Sequence, residues 1–124
     1  MEILTLSKVI DLDILRPEPR VVKIGGKEID VSFIPCGITF DLDAIVQELV
    51  KIKPEKIKSD PKEMRRAFDL GIKLCSVFCQ HKYPEMDEQW FLDNASSTQV
   101  NGFTSAIQTA LYESYAGVTA HSKN

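Results

Sequence analysis

No stretch of this chain approaches the ~20 consecutive apolar residues needed to cross a bilayer, so no segment reads as a membrane span. Cysteine is scarce and odd in number. Cys36, Cys75 and Cys79 lie in apolar segments, which argues against a disulfide framework and predicts reduced, buried thiols. The two histidines, His81 and His121, fall in a predicted loop and near the C-terminal end, and no GxSxG elbow accompanies them, so a Ser–His hydrolase set is not present. Neither sign of charge dominates: 15 Lys and Arg stand against 18 Asp and Glu, a net charge of -3 that gives no general pull toward nucleic acid. The opening residues carry Glu2, Asp11 and Asp13 without a basic segment or a small-residue cleavage site. They do not read as a signal peptide, and the expected location is the cytoplasm.

What is present fits an ordinary globular chain. Apolar residues make up 44% and charged residues 27% of 124 positions, enough for one core and one domain. The sharpest local signal is VVKIGGKEIDVSF, Val21 to Phe33, in which two strand-like runs meet at Gly25-Gly26. A Gly-Gly pair supplies the positive φ angles of a tight primed turn, so a β-hairpin is predicted over 21–34. Residues 1–20 form an N-terminal arm. Its ILTLS segment alternates like a strand, its KVIDLDIL segment has helical character, and Pro17 and Pro19 fix an extended entry into the hairpin.

Beyond Pro35 the pattern turns helical. Leu42, Ile45, Val46, Leu49, Val50 and Ile52 recur at helical spacing behind Asp41, which predicts a helix over 42–53 capped by Asp41 and ended by Pro54. A polar loop follows. The Asp60-Pro61 pair opens a helix over 61–80 whose buried stripe is Met64, Ala67, Phe68, Gly71, Ile72, Cys75, Phe78 and Cys79. A short acidic-headed helix is predicted over 85–94. After a turn at 94–97, a last helix over 98–116 ends at Gly117 and leaves a frayed tail, 117–124. The fold class is therefore α+β, a small hairpin before a mainly helical body of about four helices, in a single domain spanning 21–116.

Several constellations invite a chemical reading. Cys75, Cys79 and His81 resemble soft metal ligands, but both sulfurs fall on the apolar stripe and no second cluster completes a tetrahedral site, so no metal is assigned. The pairs Asp11/Asp13 and Asp41/Asp43 lack the glycine and distal glutamate of a calcium loop and read as helix starts. GGKE has neither phosphate-loop nor dinucleotide spacing. No catalytic residue and no cofactor is assigned. Trp90-Phe91 is either core or a partner anchor, and a bare hairpin edge at Val21 and Lys23 offers backbone for pairing. These four residues are the candidate partner contacts. Because the chain offers few other strands, homo-oligomerisation through the hairpin edge is a further expectation.

The order of features carries a resemblance. A GGKE hairpin, a helix opening FDLDAIVQEL, a longer helix, and a closing DEQWFLDNASSTQVNGFTSAIQTAL together resemble the tail assembly chaperones of long-tailed bacteriophages and their proviral relatives, over roughly Val21 to Tyr115. The resemblance implies a non-enzymatic protein that coats the long helical tape measure protein, keeps it soluble and recruits tail tube subunits as the tube grows. Its partners would be those two proteins, with no nucleic acid and no membrane. Read without the resemblance, the same surfaces describe a generic small cytosolic interaction module.

Overall fold

A computed structural model describes residues 9–123, and the expected strand-like ILTLS segment lies outside the described residues. The arm opens with a 3-10 turn, Leu12–Leu15, whose start is fixed by Asp11: its carboxylate accepts a hydrogen bond from the Asp13 N–H at 3.0 Å. Strands β1 (Val21–Ile24) and β2 (Lys27–Asp30) then pair antiparallel, with Val22 opposite Ile29 and Ile24 opposite Lys27. Gly25 and Gly26 take φ of 57° and 77°, the two positive values that a primed two-residue turn demands. One hairpin face turns inward: Ile24 and Ile29 are buried and Val22 packs on them, while Val21, Lys23 and Glu28 face out.

Five helices follow: α1 (Cys36–Val50), α2 (Pro54–Ser59), α3 (Pro61–Gln80), α4 (Glu88–Asn94) and α5 (Ser97–Lys123). The fold is α+β, as the sequence predicts, and several element boundaries differ from expectation for identifiable reasons. Helix α1 starts at Cys36, not Leu42. Pro35 sets the extended entry, and Ile38 extends the stripe of Leu42, Ile45 and Leu49 one turn backward, so Asp41 lies inside the helix and caps nothing. It ends at Val50 because Lys53 precedes a proline and must be extended. Pro54, expected only to terminate α1, is the first residue of the unpredicted helix α2, a position that suits its fixed φ and missing N–H.

The last boundary also moves. Helix α5 runs through Gly117 to Lys123, where a stop and a frayed tail are expected. No proline follows Gly117, and one glycine inside a long helix costs only about 1 kcal/mol relative to alanine. Its other end is fixed by a capping box: Ser96 Oγ accepts from the Gln99 N–H at 3.1 Å, and Gln99 Oε1 accepts from the Ser96 N–H at 2.8 Å. Helix α4 begins at Glu88 rather than Glu85, since its cap is Asp87, which accepts from the Trp90 N–H at 2.9 Å.

Helix α3 is the centre of the body, flanked by α1, α2, α4 and α5. Its expected span and its Asp60 cap match what is found, the carboxylate accepting from the Lys62 N–H at 3.0 Å. The core gathers Leu42, Leu74, Phe78, Met86, Phe91, Val100, Phe103 and Ile107, all but sealed from solvent. Phe103 meets both Phe78 and Phe91 edge-on at 6.2 Å. Val50 and Met64, expected in the buried stripes, are exposed; Val50 is the last residue of α1 and Met64 lies in the first turn of α3.

Candidate functional site

The four candidate contacts do not form one patch. Phe91 is fully buried, wedged between Trp90 at 5.0 Å and Phe103 at 6.2 Å, so its ring is core. Trp90 is half-buried. Its indole lies across the hairpin turn, so close that a Cβ on Gly25 would stand 2.7 Å from two ring carbons. This contact joins α4 to the hairpin and explains the turn glycine twice over, by its positive φ and by the space the ring takes. Val21 and Lys23 lie on the outward hairpin face, with Val21 at the opposite end of β1, roughly 13 Å along the strand from the turn. Val21, Lys23 and Trp90 thus keep accessible surface, and Phe91 supports Trp90 from below.

The cysteines divide. Cys75 and Cys79 are buried on α3; Cys75 Sγ lies 3.6 Å from Thr104 Oγ1, and burial pushes its thiol up to about 12. Burial, with some repulsion from Cys75, pushes Cys79 up as well. His81 is outside the core, edge-on to Phe78 at 5.9 Å. Burial thus favours the protonated form of both thiols, and among the described residues no group of three His, Cys, Asp or Glu stands together as metal ligands would. Cys36 departs from expectation: it is exposed in the first turn of α1, because the helix begins there. Among the described residues no helix is long and apolar enough to cross a membrane.

A surface not singled out by sequence reasoning is a concavity on the arm side. A groove of about 830 Å³ runs between the arm, the segment after β2 and α5, with Leu12, Ile14, Leu15, Phe33, Ile34 and Ala110 among its walls. Leu12, Ile14 and Leu15 are each more than half exposed. Several contacts hold the arm over it. The Arg16 guanidinium stacks on Phe33 at 3.9 Å from the ring centre, and the Arg20 N–H donates to Asp30 Oδ1 at 3.1 Å. Arg20 also forms a two-pronged pair with Glu113 of α5, both contacts at 3.1 Å.

Asp30 organises the junction. Burial pushes its carboxyl up, but hydrogen bonds from the Ser32 hydroxyl and from the Arg20 and Ser32 N–H groups outweigh this and hold it below the ordinary carboxylate value. The signal for this groove was in the sequence. Five of the seven residues from Val9 to Leu15 are large and apolar, yet two prolines stop them from joining a longer helix. A second, shallower depression lies on α3 between Lys62, Arg65, Arg66 and Lys73. Arg65 pairs with Asp69 at 2.9 Å and Arg66 with Glu48 at 2.8 Å, the pattern of a solvated charged face.

Comparison with protein-family models, with curated proteins and with solved structures finds no match for this chain.

Proposed function

We propose that this protein is a non-enzymatic assembly chaperone that shields an apolar helical partner, and that the partner is the tape measure protein of a long-tailed phage or prophage. The observation that carries this reading is the arm-side groove, where Leu12, Ile14 and Leu15 stand more than half exposed beside Phe33 and Ala110. A run of apolar side chains displayed along a concave surface fits an amphipathic helix laid lengthwise, which hides its own stripe from water as it hides these. Each 100 Å² of apolar surface so covered contributes roughly 2.5 kcal/mol before the cost of ordering the partner. The charged rim, with Asp13, Glu18, Arg20 and Glu113, keeps the complex in solution and sets the helix's orientation. Recruitment of tail tube subunits falls to a different surface, with the outward hairpin face and Trp90 the accessible remainder of the candidate contacts.

Co-expression with a tape measure protein, which the reading places as a long coiled-coil chain in a neighbouring gene, tests it. A soluble complex carrying several copies per long chain is expected. It should be lost in a Leu12→Ser/Ile14→Ser double variant whose thermal unfolding is unchanged. A long protein that stays insoluble with both forms, or a complex indifferent to the double variant, overturns it and leaves a generic interaction module.

A further inference from the structure

Among the described residues the β1 edge of the hairpin is open, and that edge is complementary to itself. With a two-residue turn, Ile24 and Lys27 form the hydrogen-bonded pair that closes the loop, so the register makes Val22–Ile29 and Arg20–Val31 the next such pairs. The last is seen directly: the Val31 N–H donates to the Arg20 carbonyl at 2.9 Å. It follows that the N–H and C=O groups of Val21 and Lys23 point away from β2. No other described strand lies beside them. On the far side of the hairpin the Glu28 carbonyl, which points outward from β2, already accepts a hydrogen bond from the Tyr83 hydroxyl at 3.3 Å.

We infer that two copies of this chain pair antiparallel along β1, about a twofold axis at Val22, to make one four-stranded sheet. In this register Val21 and the partner's Lys23 exchange two hydrogen bonds. Lys23 and the partner's Val21 exchange two more, which satisfies every outward backbone group of the two positions. Neighbouring registers fail on chemistry. Setting Lys23 opposite the partner's Lys23 juxtaposes like charges, and setting Val21 opposite the partner's Val21 brings Pro19, which has no N–H, against Lys23.

Charge agrees with the chosen register. Across the outer face the row reads Glu28, Lys23, the partner's Val21 and the partner's Asp30, so each ammonium has a carboxylate on its own hairpin beside it and no facing cation. Lysine on an edge strand commonly guards against pairing. Here its aliphatic stem lies against the partner's Val21, which is more than half exposed in the single chain, and its charge stays in water.

Lys23→Pro is the decisive variant. Position 23 donates nothing within its own hairpin, so proline removes only the outward N–H, a substitution edge strands tolerate. Sedimentation of the protein alone is expected to show a dimer whose dissociation constant rises roughly 25-fold in the variant. The twofold axis removes two hydrogen bonds, each worth about fivefold. Should the variant not fold, amide exchange in the unmodified protein decides: the Val21 and Lys23 amides, unpaired within one chain, become protected as concentration rises. A monomer at all concentrations, a dimer insensitive to Lys23→Pro, or fast exchange of both amides regardless of concentration overturns the inference. None of these outcomes depends on a tape measure partner, so this test and the previous one fail separately.

Discussion

The arm and helix α3 are similarly rich in apolar residues, and the fold treats them oppositely. From Val9 to Leu15 all five large apolar side chains are more than half exposed, whereas α3 buries Ile72, Leu74, Cys75, Phe78 and Cys79 almost completely. Hydrophobicity states how much surface would gain from leaving water; spacing and neighbours decide whether the same chain can cover it. In α3 the residues step round one stripe over 20 positions, and α1, α4 and α5 close over that stripe. In the arm the run is seven residues long, is cut off by Pro17 and Pro19, and lines an open groove with the segment after β2 and one flank of α5. The uncovered surface is then available to another molecule.

The largest effect that tests this contrast is on stability. Phe91→Ala empties a sealed site between Trp90 and Phe103 and is expected to cost about 3–5 kcal/mol in urea unfolding. Leu12→Ser, in the arm, should stay within about 0.5 kcal/mol of the unmodified protein. Equal losses would mean that the arm is core, and the groove would cease to be a docking surface.

The hairpin turn sharpens the comparison from the other side, since it is exposed in sequence terms yet fixed by the body. Gly25→Ala forces a side chain into positive φ and into the Trp90 indole, and should destabilise by about 2–3 kcal/mol with a change in tryptophan fluorescence. Gly26→Ala meets nothing within 4 Å and carries only the backbone strain, about 1 kcal/mol. If the two variants match, the indole yields freely and α4 does not anchor the hairpin.

Thiol labelling distinguishes the same two environments without mutation. Cys36 should react promptly with a thiol reagent at mildly alkaline pH, while Cys75 and Cys79 react only as the protein unfolds, being buried and held protonated. Three thiols reacting at one rate would show that α3 opens readily.

These contrasts mark how far the sequence was legible. Where one physical signal acted alone it was enough: the Gly-Gly turn, the Asp60-Pro61 start of α3 and its stripe could all be read directly. It failed where two signals competed at a boundary. Asp41 looked like a cap, but the Ile38–Leu42–Ile45 stripe extends before it. Pro54 reads equally as an end and as a beginning. The candidate site was legible only in part for a related reason. Trp90 and Val21 stand out by residue type, whereas the groove needs α5 brought beside the arm, a contact across some 90 positions. The Arg20–Glu113 pair that marks it leaves no local trace in the sequence.

That pair gives the smallest effect and the most specific one. The two-pronged hydrogen bond and the charge of Arg20 hold the Glu113 carboxyl below its ordinary value of 4.5, and Glu113 correspondingly raises Arg20. A carboxylate whose folded value is depressed contributes stability in full above its unfolded value, and that contribution is lost as pH falls through the folded value. The arm-to-α5 junction should therefore loosen below about pH 4.5 before the core unfolds. Both side chains are about half exposed, so salt screens the interaction and the change is small in global unfolding. It should be visible instead in the amide protection factor at Arg20, lower on acidification in the unmodified protein and already low at neutral pH in Glu113→Gln. A protection factor at Arg20 that ignores both pH and this substitution would mean that the Asp30 hydrogen bond alone holds the arm's hinge. The groove's walls would then keep their places without α5's charge.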